Sequence, residues 1–115
     1  MNQKLKLNND QLRALVLETL KENKKSQFEE FDKSVADKAL SKGLLKQDTD
    51  SIFAGSSLFT FLVFEDIARV RDILWDLIIE GIIRPGFGDG LNNDLPFFHV
   101  TEKGEQILSS IEPTP

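Results

Sequence analysis

Apolar positions three and four apart mark a first helix from about Gln11 to Glu22. Leu12, Leu15, Val16 and Leu20 share one face, while Arg13, Glu18, Lys21 and Glu22 lie off it. Asn9 or Asp10 suits its N-cap, because either side chain can accept a free backbone amide; the polar run Asn23 to Gln27 ends it. A second helix is expected over Val35 to Lys42. Its apolar face is Val35, Ala36, Ala39 and Leu40, Ser34 with Asp37 resembles a capping box, and Gly43 is a natural left-handed stop. Phe28 and Phe31, just ahead of it, are expected to fold a short turn into the core. Lys46 to Ser51 is polar and reads as a loop. Residues 57–64 are aromatic and β-branched enough for a buried strand, but they could also begin the next helix; so short an apolar run has no deciding period.

The strongest periodicity runs from Glu65 to Glu80. Ile67, Val70, Leu74, Leu77 and Ile78 repeat at helical spacing, Ile73 and Trp75 broaden the stripe, and Gly81 closes the helix. Ile82-Ile83-Arg84 is an apolar strand stub broken by Pro85-Gly86. A loop through Gly88, Gly90, Asn92, Asn93 and Asp94 follows, and Pro96 to Val100 returns as a second strand. Thr101 can cap a last helix, Glu102 to Ile111, with Ile107, Leu108 and Ile111 facing in. Leu74, Trp75, Leu77, Ile78, Phe97 and Phe98 are the expected core around this ribbon. The division that follows is a flexible N-terminus over 1–10, one domain over 11–111, and a proline-bearing tail or linker over 112–115.

Length and composition sharpen this picture. A chain of 115 residues that is 40% hydrophobic and 29% charged can bury a single core. The uncharged run from Ser51 to Phe64 is too short and too rich in Gly and Ser to span a bilayer, so no membrane partner is expected. With no cysteine, disulfides, thiolate metal sites and Cys nucleophiles are excluded, and a cytoplasmic protein is the simplest expectation. The net charge of −5 is uneven. Residues 1–50 carry 10 Lys/Arg against 9 Asp/Glu, and residues 51–115 carry 4 against 10.

The order helix, helix, long helix, strand, glycine-rich loop, strand, helix is that of a winged helix-turn-helix. The segments Leu74 to Gly86 (LWDLIIEGIIRPG) and Pro96 to Gly104 (PFFHVTEKG) resemble the winged-helix module at the front of a group of poorly characterised bacterial proteins. The closing VTEKGEQIL resembles the end of the wing in many bacterial regulators, where Thr caps a helix after the second wing strand. The resemblance covers roughly Glu65 to Leu108 and is moderately specific; residues 1–64 match in outline. It implies an α+β, mostly helical fold with a two- to three-stranded antiparallel wing sheet, and a DNA-binding or transcription-regulatory role.

In such a domain the long helix would read base edges and the wing would touch phosphates. The cations placed to do so are Arg69, Arg71, Arg84 and Lys103. Against them stand Glu65, Asp72, Asp76 and Glu80 along the same helix, and a wing tip from Pro85 to Pro96 with Asp89 and Asp94 but no Lys or Arg. Phosphate neutralisation supplies most non-specific DNA affinity, so this surface opposes binding. Solvated helix-face ion pairs are the simpler reading of Arg69 and Arg71. Lys21, Lys24, Lys25, Lys33, Lys38, Lys42 and Lys46 form a basic belt interleaved with acids, without concentrated excess. A core position is the simpler reading of Trp75, and a strand position without metal or base chemistry that of His99. No catalytic triad, phosphate loop or His cluster stands in the chain, so neither catalysis nor a cofactor is expected. Two function classes remain: duplex DNA binding, or docking of another protein domain or a homodimer partner.

Overall fold

The computed structural model describes residues 5–45, 62–90 and 92–111. They form an α+β domain with four helices and one three-stranded antiparallel sheet among the described residues: α1 (Asn9–Glu22), β1 (Lys25–Gln27), α2 (Phe28–Ser41), α3 (Phe64–Glu80), β2 (Ile83–Pro85), β3 (Phe97–Val100) and α4 (Glu102–Ser109). The strand order is β1-β3-β2. None of the described helices is long and apolar enough to cross a membrane.

α1 begins two residues earlier than the periodicity suggests. Its cap is Asn8, whose Oδ1 accepts the Gln11 N–H while Gln11 Oε1 accepts the Asn8 N–H, a reciprocal box that satisfies two otherwise free amides. Residues 5–10 thus make contacts with the rest of the domain. Leu5 is 1% exposed, and its N–H donates to the carboxylate of Asp66 on α3.

α2 corrects the expected capping site more strongly. Ser34 lies inside the helix, its hydroxyl donating to the Glu30 carbonyl, and the helix starts at Phe28. Gln27 supplies no side-chain cap; the Phe28 N–H donates instead to the carbonyl of Pro96, from the ribbon. Phe28 and Phe31 thus occupy the first turn and are buried. β1 is likewise a strand by virtue of its neighbour, since Lys-Ser-Gln has no strand propensity and pairs with β3 across Lys25–His99, Ser26–Phe98 and Gln27–Phe97. The strand considered for residues 57–64 lies mostly outside the described residues; Phe64 opens α3.

α3 ends as the sequence indicates. Gly81 takes φ +82°, a conformation side chains disfavour, and the Ile82 N–H returns to the Leu77 carbonyl. The β2–β3 ribbon then pairs Ile83 with Val100, Arg84 with His99 and Pro85 with Phe98. The helices and sheet enclose one core that includes Leu12, Leu20, Phe31, Val70, Leu74, Leu77, Ile83 and Phe98.

Three expected core residues are placed otherwise. The buried residues of α3 are Asp66, Val70, Ile73, Leu74 and Leu77. At about 100° per residue, Trp75 falls on the opposite side of the helix, and it is 47% exposed. Ile78 lies at the edge of the stripe and is partly buried. Strand alternation sends Phe98 inward, fully buried, and Phe97 to the other face, where its ring meets Phe87 edge-on at 5.0 Å. Phe98 packs against Phe28 and Phe31 of α2.

α4 is pinned to the start of β2. Thr101 Oγ1 donates toward the Gly81 carbonyl (2.6 Å) and accepts the Gly104 N–H (2.9 Å), while its own N–H donates to the Ile82 carbonyl (2.9 Å). Gly104 packs so closely that an added Cβ would lie 2.2 Å from the Ile82 oxygen. Gly104→Ala is therefore expected to destabilise the domain by about 1–3 kcal/mol, overpacking outweighing alanine's better helix propensity. Urea denaturation monitored by circular dichroism checks this; a variant as stable as the parent would contradict the close packing.

Candidate binding surfaces

Of the four cations assigned to nucleic acid, the structure turns two inward. Arg69 Nη1 lies 3.3 Å from Asp66 Oδ1, and its Nη2 donates to the Leu7 carbonyl. The carboxylate of Asp66 is fully buried and also holds the Leu5 N–H at 2.7 Å. Arg69 is thus half of a clamp that seats residues 5–7 on α3, and its guanidinium is not displayed for a base edge.

Arg71 reaches α2. Its Nη2 lies 2.9 Å from Asp32 Oδ2, and its guanidinium carbon sits 4.3 Å from the centre of the Phe28 ring, a cation–π contact. Only 13% of the Asp32 side chain is exposed. Burial pushes the Asp32 carboxyl up to about 6, with Arg71 opposing the shift. Asp32 Oδ1 and Arg71 Nε are buried without a hydrogen-bond partner in the protein.

The other two cations come together. Arg84 Nη2 and Lys103 Nζ would lie 3.7 and 3.9 Å from a Cβ on Gly81, and Lys103 Nζ donates to the Glu80 carbonyl at 2.9 Å. Both therefore stand at the C-terminal end of α3, where the helix dipole favours positive charge. Sheet register extends this cluster. Lys25, His99 and Arg84 oppose one another across the three strands, so their side chains form one row on the face away from Phe98. His99 anchors the row through Nδ1, 2.6 Å from the Gly86 carbonyl oxygen, with its ring against Gly88. Sequence reasoning missed this row because β1 has no strand signal of its own.

Four lysines of the expected basic belt are engaged locally, and Lys46 lies outside the described residues. Lys42 meets Glu18 at 2.8 Å, Lys38 bridges to Glu18 and Glu22, Lys24 meets Glu105 at 3.0 Å, and Lys21 donates to the Ile111 carbonyl. Arg13 holds Glu80 with two 2.8 Å bonds, which keep the Glu80 carboxyl below the ordinary glutamate range. An open groove of about 560 Å³ beside α1 and the end of α2 is lined by Leu7, Ala14, Leu15, Glu18 and Lys42 among others.

With its arginines turned away, the free face of α3 is an apolar stripe beside exposed carboxylates of Glu65, Asp72 and Asp76. Phe64 is 89% exposed and Ile79 80%, and Ala68 and Trp75 lie between them on the same side. Asp72 flanks this stripe. Isolated exposed apolar residues are ordinary, but an aligned set of large ones marks an interaction surface. No protein-family model matches the chain, and no curated protein or solved structure does.

Two outcomes follow. Asp66→Ala leaves the Leu5 amide and the Arg69 guanidinium without their anion, and is expected to lower stability by about 1.5–3 kcal/mol in chemical denaturation; an unchanged midpoint would contradict the clamp. The raised Asp32 carboxyl binds its proton more tightly folded than unfolded. Its stabilising effect is complete below about pH 4 and is lost as pH rises through about 6. In denaturation at pH 4.5 and 7, Asp32→Asn should remove this part of the decline, and an unchanged slope would refute the assignment.

Proposed function

We propose that this chain is a non-catalytic, cytoplasmic binding module of winged-helix type whose long helix recognises protein and not duplex DNA. The element order and the sheet order β1-β3-β2 support the winged-helix reading. The observation that carries the choice of ligand class is the free face of α3. In the position of a recognition helix it offers Phe64, Ala68, Trp75 and Ile79, bordered by Asp72, while Arg69 and Arg71 serve internal contacts. A phosphate backbone would find carboxylates on that helix, whereas an apolar partner would find a surface it can dehydrate.

A second reading rests on the row Lys25–His99–Arg84 with Lys103 beside it. Such a row can follow phosphates from the sheet side, with the long helix facing away from the duplex.

Fluorescence anisotropy of a labelled duplex at low salt and at about 0.15 M salt separates the two readings. The protein-docking reading expects no saturable binding at the higher salt. Saturable, salt-sensitive binding that disappears in the Lys25→Ala/Arg84→Ala double variant would overturn it in favour of the sheet reading.

A further inference from the structure

The outer face of the sheet carries two chemistries side by side. At one end Lys25 and Arg84 are exposed on either side of His99, and among the described residues neither makes a hydrogen bond or an ion pair. Two residues along β3 and on the same face, Phe97 is partly exposed, with Phe87 edge-on to it and Gln27 paired opposite. We propose that this face binds single-stranded nucleic acid, a base lying against the Phe97–Phe87 pair and its phosphate between Lys25 and Arg84. The proposal uses no residue of the α3 stripe, so it is independent of the docking reading, and it competes with the duplex reading for the same row.

Charge singles this face out. The chain has a net charge of −5, and Arg13, Lys24, Lys38, Lys42, Arg69 and Arg71 are bound to its own carboxylates. Lys25 and Arg84 are left without such a partner, and strand pairing sets both beside His99. Neighbouring strands lie about 4.8 Å apart, so the row is about 10 Å wide and two long side chains can close on one phosphate above His99. Along β3, Phe97 is about 6.7 Å from His99, so a base resting there stays within reach of its own phosphate. The Nδ1–H of His99 donates to the Gly86 carbonyl and fixes the ring between the two ends. The aromatic end disfavours phosphate: the Asp94 carbonyl accepts the Phe97 N–H, and Asp89 follows Phe87 in the same loop. The ligand is thereby oriented, phosphate toward the row and base toward the rings. Backbone-tracking cations and aromatic platforms are the two parts that single-strand sites combine. In a duplex the bases are stacked on one another and closed to Phe97, and the second strand would approach Asp89 and Asp94.

The test is anisotropy of a labelled oligothymidylate of about 12 nucleotides with the full chain. Its comparators are an abasic sugar–phosphate oligomer of the same length, a duplex, and thymidine monophosphate as competitor. The oligothymidylate should bind saturably at low salt, log K falling by about 0.7 per contacted phosphate for each decade of salt. The abasic oligomer and the duplex should bind at least about fivefold more weakly. Phe97→Leu should keep the parent's circular dichroism and melting while binding weakens by about fivefold or more, and Lys25→Ala/Arg84→Ala should flatten the salt dependence. Equal binding of the oligothymidylate and the abasic oligomer to the parent chain, a comparison that needs no variant, would overturn the stacking and leave a plain polyanion surface. A well-folded Phe97→Leu chain that binds like the parent would do the same. Duplex bound as tightly as single strand would return the face to the duplex reading. Displacement by thymidine monophosphate as effective per nucleotide as by the oligomer would overturn the polymer in favour of a free nucleotide. No saturable binding at low salt would overturn the proposal outright and leave the α3 docking reading standing.

Discussion

The burial of Phe98 organises the molecule. Its ring is fully enclosed, 5.8 Å from Phe28 and 5.4 Å edge-on from Phe31, and it joins the middle strand of the sheet to the first turn of α2. Enclosing such a ring contributes about 1.5–3 kcal/mol, and each aromatic contact adds about 0.5–1.5 kcal/mol. The geometric effect is as important. With Phe98 facing in, Phe97 and His99 must face out, and a one-residue slip would reverse all three. The same register lines Lys25 and Arg84 up with His99, so the charge on the outer sheet face follows from an apolar contact on the inner one.

α3 shows a comparable division of labour. Its inner face carries Val70, Ile73, Leu74 and Leu77, and its two arginines bend away from the free face to hold neighbouring segments. Arg69 and Asp66 fasten the chain ahead of α1, and Arg71 with Asp32 fastens α2. Cations counted along a helix are therefore a poor measure of the charge it displays. What remains on view is apolar and acidic.

Legibility in the sequence followed the range of the forces involved. The long helix, its Gly81 terminus, the ribbon that follows and the Thr101 cap were all readable, because periodicity, left-handed glycine and capping chemistry act within a few residues. β1 and the start of α2 were not. Lys25 to Gln27 becomes a strand only through β3, and Phe28 finds its amide acceptor in the distant Pro96. Hydrophobicity alone widens the stripe to include Trp75, although its angle sets it on the far side of the helix from Leu77 and Ile73. Of the candidate site, Arg84 follows from the strand stub after Gly81 and Lys103 from the helix that Thr101 caps, but their neighbours Lys25 and His99 depend on strand pairing that no local pattern announces.

The junction between α3 and the ribbon has a consequence for recognition. The carbonyls of Glu80, Gly81 and Ile82 are taken by Lys103 and Thr101, and Gly104 presses against the last of them. No slack is left at that corner for a hinge. The greasy side of the helix and the cationic side of the sheet are consequently two walls of a single rigid casting, meeting at an angle the chain cannot adjust. A molecule that grips both must arrive already cut to that angle, and one that does not can hold only one wall at a time.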